Sequence, residues 1–193
     1  MSMEKQVNNI CKSCYFHIRN ISRIRKNISE EATKILIHSM VTSRLDNCNS
    51  LLIGLPNRLI DKPQKVQNSA ARLISRTNFN DHITPVLYHL HWLPVRFRIR
   101  FKILLLTYKC LNHMAPSYLC NLLELYSPSR TLRSSSGNLL IKRPVRLVSY
   151  GERSFAFQGP YLWNSLPLSV RNSPSLSTFK TRLKTHLFNE AFQ

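Results

Sequence analysis

Acidic side chains are scarce in this chain. Its 193 residues hold nine Asp and Glu against 28 Lys and Arg, a formal charge of +19. The acids are Glu4, Glu30, Glu31, Asp46, Asp61, Asp81, Glu124, Glu152 and Glu190, and only Glu30 and Glu31 are adjacent. A metal-dependent nucleotidyl transferase needs carboxylates that converge on its cations, so this scatter disfavours that chemistry. Glycine is rarer still. Four glycines spread over the chain leave no Gly-rich phosphate loop, and no Gly-x-Ser-x-Gly elbow occurs. No run of about 18 uncharged apolar residues exists, and the opening MSMEKQVNNICKSC lacks the apolar core of an export signal. The expectation is a nuclear or cytoplasmic protein, not secreted and without a membrane partner. Five cysteines (Cys11, Cys14, Cys48, Cys110 and Cys120) are an odd count, which in that setting favours free thiols over a disulfide framework.

What the chain does have is positive charge on a sequence able to fold. Its 43% hydrophobic content separates it from disordered basic tails, which pair high charge with few large apolar residues. A charge of this size is the footprint of a polyanion partner, because neutralising phosphates releases condensed counterions. From Arg96 onward, 15 Lys and Arg stand against three acids, with aromatic residues between them. An exposed Tyr150, Phe155 or Trp163 could stack on an unpaired base, although burial in a core is the commoner fate of such residues. No helix-turn-helix, zinc-finger or RNA-recognition signature points to sequence-specific readout.

Periodicity predicts a mainly helical fold. Advancing each residue by about 100° gathers Val7, Cys11, Cys14, Ile18 and Ile21 on one face of a helix over 5–27. Lys5, Lys12, Arg19, Arg23 and Lys26 form a separate basic stripe on that helix. Ser29 with Glu30 and Glu31 reads as a cap and acidic first turn of a second helix to about residue 45, with Ala32, Ile35, Leu36, Met40 and Val41 facing inward. A third helix is expected around Val66, Ala70, Leu73 and Ile74, capped by Asp61, with Pro63 in its first turn. Thr84–Pro85 should open a short helix through His89, and Pro116 another through Leu123 and Leu125. VRFRIRFKI alternates like a strand, but Phe97, Phe101, Leu104, Tyr108 and Leu111 continue at spacings of 4, 3, 4 and 3, which favours a helix over about 95–112. Beyond a Ser-rich loop carrying Arg130 and Arg133, LLIKRPVRLVSY and SFAF read as the strands of a small β-hairpin, holding Arg143 and Arg146. The segment around Gly159, Pro160 and Trp163 should be irregular, with a C-terminal helix after it carrying Leu176, Phe179, Leu183 and Leu187.

No metal site or cofactor follows from these residues. Cys11 and Cys14 have the spacing of half a zinc site, but no second Cys or His pair follows, and both fall on the apolar face, as buried thiols would. Cys110, His113 and Cys120 lack a fourth ligand in sequence, and His82, His89 and His91 lack the spacing of a zinc-protease helix.

Seven strings carry a resemblance: SRLDNCNSLLIGLP, VQNSAARLISR, DHITPVLYHLHWLPV, RFKILLLTYKCLNHMAPSYL, RTLRSSS, YGERSFAFQGPYLWNSLP and SPSLSTFKTRLKTHLF. In order and across essentially the whole chain, they resemble the C-terminal region of the open reading frame 2 polyprotein of LINE-type (non-LTR) retrotransposons, of the chicken-repeat and jockey-like group. The resemblance implies a thumb-like helical region at 1–76; composition and periodicity divide the rest into a helical segment at 77–126, a Ser/Arg-rich linker at 127–138, and a hairpin with a C-terminal helix at 139–193. It also implies an upstream reverse transcriptase palm and fingers as partner, and catalytic carboxylates that lie outside this chain, as in a truncated element copy. No catalytic residue is carried over. Where the family pattern has an apolar residue, this chain has Pro63, which counts against a helix continuous through that point.

By that resemblance the chain is a catalytically incomplete fragment of an RNA-directed DNA polymerase. It would grip the backbone of RNA or an RNA–DNA duplex through Lys12, Arg19, Arg23, Lys26, Arg130, Arg133, Arg143 and Arg146. The alternatives are a stand-alone basic adaptor protein and a genomic relic without function.

Overall fold

The computed structural model describes residues 3–127, 138–147 and 150–193, and these are mainly helical. The chain divides into two compact units, Met1–Ile99 with Ala191–Gln193, and Arg100–Glu190.

In the first unit, α1 (Met3–Ile24) buries Val7, Cys11, Cys14 and Ile21 and packs on α4 (Asn57–Ser75). Helix α4 answers with Leu59, Ile60, Val66, Ala70, Ala71 and Ile74, all buried. Its start differs from the expectation. The helix begins at Asn57 behind an extended Pro56, four residues before Asp61, so Asp61 is no cap. Pro63 therefore lies in the second turn and is buried there, within a helix that continues through it. The proline has no N–H to give Leu59, so the helix forgoes one internal hydrogen bond, while its ring contributes to the packed face.

Ser29 caps α2 (Glu30–Ile37) as expected, its hydroxyl accepting from the Ala32 N–H at 3.1 Å. The helix then runs through a π-helical turn, His38–Thr42, into α3 (Ser43–Asp46). This turn corrects the predicted inner face. Val41 is buried as expected, but Ile35 and Met40 are exposed, and Thr33, Ile37 and Leu45 are buried in their place. Four-residue spacing drifts by about 40° per step on an α-helix. The extra residue of a π turn resets that drift and keeps all four positions inward. A short 3-10 helix at Asn49–Leu52 follows, and α5 (Ile83–His89) forms where Thr84–Pro85 predicted it. Buried Gln67 donates to the Leu93 carbonyl at 2.9 Å, and Gln64 accepts from the Val95 N–H at 2.8 Å. Two side chains of α4 thereby hold the turn that launches α6 (Val95–Leu111), which is a helix despite its alternating start.

In the second unit, the core is aromatic. Tyr108 on α6 stacks on Phe179 of α10 (Leu176–Phe192) with centroids 4.2 Å apart, and Trp163 of α8 (Phe155–Ser165) lies 5.8 Å from Phe179. The Tyr108 hydroxyl donates to the Ser173 carbonyl and the Trp163 indole N–H to the Asn138 carbonyl, so both polar edges are satisfied. Between them lie two short helices, α7 (Ser117–Cys120), which ends before Leu123, and α9 (Leu168–Arg171).

The expected hairpin is not formed among the described residues. Of SFAF, Ser154 is the N-cap of α8 and the other three residues lie in it, and the helix also takes in the Gly159–Trp163 stretch expected to be irregular. Gly159, Leu162, Trp163 and Leu166 supply an inward face at helical spacing, and this overrides the short alternation of SFAF. Gly159 faces Thr107, whose hydroxyl would stand 3.2 Å from an added Cβ. The other expected strand is extended around Leu139–Ile141, but it pairs upstream. Leu125 and Leu140 form an isolated antiparallel bridge, with Tyr126 N–H to Leu139 O at 2.8 Å and Ile141 N–H to Glu124 O at 2.9 Å. The opposite edge of Leu140 is held by Asn164, whose side-chain amide accepts from its N–H and donates to its carbonyl.

Candidate nucleic-acid interface

Because the inner face of α1 is committed to the first unit's core, its other face is open. Lys12, Arg19 and Arg23 are all exposed there, at offsets of seven and four residues that bring them to one side of the helix. Exposed Lys5 extends the stripe toward the N-terminus, and exposed Lys26 continues it just past the last turn. At about 1.5 Å per residue, Lys12 to Arg23 spans roughly 16 Å. That length covers about five phosphates at the axial spacing of one nucleic-acid strand.

The scarcity of acid now has a spatial meaning. Among the described residues, five of the nine carboxylates sit in ion pairs: Glu4 with Lys62 and Arg58, Glu30 with Lys34, Asp46 with Arg98, Glu124 with Arg143, and Glu190 with Arg100. Among the described residues, no carboxylate pairs with Lys12, Arg19, Arg23 or Lys26. The exposed face of α1 is thus a strip of uncompensated cations.

The other predicted contact residues separate into two groups. In the second unit, Arg143 is exposed but donates to Glu124 at 2.9 Å, and Arg146 is exposed nearby in sequence. Arg130 and Arg133 lie outside the described residues. Of the aromatics considered for stacking, Tyr150 is exposed, Phe155 is half-buried, and Trp163 is buried and so removed from any partner.

Sequence reasoning missed that several arginines are structural. Arg25 is only 7% exposed. Its guanidinium donates from Nε to the Leu73 carbonyl at 2.9 Å, from one terminal nitrogen to Ile74 O at 2.9 Å and from the other to Ile28 O at 3.1 Å. It places a fixed cation on the last carbonyls of α4, where the helix dipole is negative. The signal was present, because Arg25 stands four residues after the inward-facing Ile21. Arg98 grips Asp46 with Nε at 2.8 Å from Oδ1 and a second bond from its terminal nitrogen to Oδ2. Beside that pair His38 meets Trp92 edge to face at 5.5 Å. Burial, together with the positive Arg98, pushes the His38 imidazole below its ordinary range against the opposing pull of Asp46, so it is neutral at pH 7.

The remaining chemistry-bearing groups are quiet. Cys11 and Cys14 are buried free thiols. Burial, aided by the neighbouring Cys11 sulfur, pushes the Cys14 thiol up to about 11, so no reactive thiolate forms there near neutral pH. Cys110 is likewise pushed up to about 11, chiefly by burial. His82, His89 and His91 are exposed, and Asp81 accepts from the Asn78 N–H. Among the described residues, no group of three or more His, Cys, Asp and Glu side chains is placed to hold a metal ion. No helix among them is long and apolar enough to cross a membrane. Compared with known protein families, curated proteins and solved structures, the chain matches none.

Proposed function

We propose that this protein is a nucleic-acid-binding module that holds the phosphate backbone on the exposed face of α1. One observation carries the reading: Lys12, Arg19 and Arg23 share a face that contains no carboxylate, on a helix whose opposite face is fixed in a core. Flexible basic tails bind by charge alone, whereas this stripe carries its cations on a helix whose backbone is already ordered and so loses less main-chain freedom on binding. The arginine and lysine contacts position a backbone and do not read bases, which fits a partner recognised by charge and form.

The seven sequence blocks extend the proposal. By their resemblance, the module is the gripping, non-catalytic end of a LINE-type reverse transcriptase, α1 belongs to its thumb-like part, and its partner is structured RNA or an RNA–DNA duplex. Binding measured over a salt series tests both levels. Affinity should fall steeply with salt, and Lys12→Glu/Arg19→Glu/Arg23→Glu should weaken it and flatten the salt dependence by about two to three units of slope. Binding indifferent to salt and to the triple substitution overturns the proposal. Nucleotide incorporation by the purified chain with magnesium or manganese would overturn its non-catalytic part.

A further inference from the structure

The stripe is not purely ionic. Phe16 is 61% exposed and Tyr15 is 40% exposed, although α1 has a well-formed apolar face on which large rings would normally be buried. Their register is the informative part. Phe16 follows Lys12 by one helical turn and precedes Arg19 and Arg23 by one and two turns. Tyr15 stands three residues from Lys12 and four from Arg19. Both rings therefore stand among the cations of the stripe, away from the core side. The Phe16 ring is also braced, standing perpendicular to the His17 ring at 5.4 Å. Within the stripe, then, apolar ring surface is held in water between uncompensated charges.

We infer that this face takes a single-stranded polynucleotide, with an unpaired base stacked on Phe16 and its flanking phosphates on Lys12, Arg19 and Arg23. The inference rests on the phosphate-binding part of the proposed function and, for this face, replaces the RNA–DNA duplex that the resemblance implies with an unpaired strand. The charge calls for a polyanion, and the rings select within that class. Bases inside a duplex are already stacked on one another, so a duplex can satisfy the cations but leaves Phe16 wet. An unpaired base has a free π-face to cover the ring, and stacking of this kind tolerates any base. Tyr15, on the neighbouring position, adds a second ring edge and a hydroxyl for the sugar or phosphate.

The test uses the full chain, a short single-stranded oligonucleotide of mixed sequence, the same strand with abasic sites at its centre, and the matching blunt duplex. Phe16→Leu should weaken binding of the intact strand by about tenfold, leave its salt slope unchanged, and leave duplex binding unchanged. Phe16→Trp should restore or improve it. The abasic strand should bind the wild-type chain weakly and be indifferent to Phe16→Leu, which separates stacking from any loss of fold. Phe79→Leu, at a ring 85% exposed outside α1, serves as the control and should change nothing. Equal loss of intact and abasic strands with Phe16→Leu, or no loss of either, overturns the inference. If the Lys12/Arg19/Arg23 reversal abolishes binding while Phe16→Leu does not, the phosphate-binding reading stands and the stacking one fails. If neither changes binding, both fail. Anionic vesicles that displace the single strand at equal phosphate concentration would also overturn it.

Discussion

Arg23 and Arg25 are two residues apart, and they have opposite fates. Arg23 faces water on the open side of α1, while Arg25 is buried against the end of α4 with three carbonyls around its guanidinium. The same side chain is a candidate ligand-binding group on the open face of α1 and a structural cap in the turn just past its end, and position along the chain decides which. The difference teaches that a charge of +19 counts cations without distinguishing them. Arg25, Arg98, Arg100 and Arg143 are committed within the fold, whereas Lys12, Arg19, Arg23 and Lys26 are exposed and paired with no carboxylate among the described residues.

The largest effect is expected on the inner side. Arg25→Ala should cost about 3 kcal/mol in urea unfolding, because it removes charge-assisted bonds to three carbonyls and leaves them without a donor. Arg25→Lys should recover little, since one ammonium cannot reach the carbonyls that a planar fork spans. Arg23→Ala should stay within about 0.5 kcal/mol of wild type. If Arg25→Ala were as mild as Arg23→Ala, the contrast between the two faces would collapse.

On the outer side, the Lys12→Glu/Arg19→Glu/Arg23→Glu protein should keep its thermal midpoint but lose about a hundredfold in nucleic-acid affinity at low salt. Asp46→Asn sharpens the same division from another direction. It breaks the bidentate grip on Arg98 and should lower stability by about 1 kcal/mol, with nucleic-acid affinity unchanged. A gain in affinity there would mean that Arg98, once released, joins the binding surface.

The smallest effect concerns the inner-face thiols. A raised thiol pKa in the folded state adds stability that is complete below the unfolded value, near 8.5, and is lost as pH rises through the folded one, about 11 for Cys14. The wild-type urea midpoint should therefore fall between those limits, and Cys14→Ala should flatten part of that fall while lowering the plateau. Alkylation near pH 8 should label exposed Cys48 well before Cys14 or Cys110.

Much of this division was readable from residue order. The two faces of α1, the Ser29 cap and the helical reading of about 95–112 all follow from spacing and from one hydroxyl in the right place. What was not readable depended on events that spacing does not encode. The π turn at His38–Thr42 inserts a residue and rotates the face of α3 relative to a uniform helix, so Met40 emerges where burial was expected, while Ile35 stands opposite Thr33 and Ile37, the residues that α2 buries. The stretch after Gly151 has strand-like alternation over only a few residues, and the tertiary fit of Gly159, Leu162 and Trp163 outweighed it. Tyr15 and Phe16 went unread, because spacing puts them beside the cations but does not say whether a ring between charged residues is covered.

Asn164 gives the Leu140 clasp a consequence of its own. An extended segment normally offers one row of unmet backbone groups, and such rows recruit strands from other molecules. Here Leu139 and Ile141 spend theirs on Tyr126 and Glu124, while Leu140 spends both of its own on one side-chain amide. With both main-chain groups of Leu140 taken, the outward border at that residue offers no docking point to a strand from another molecule. A single asparagine thus acts as the neighbouring strand that this segment lacks.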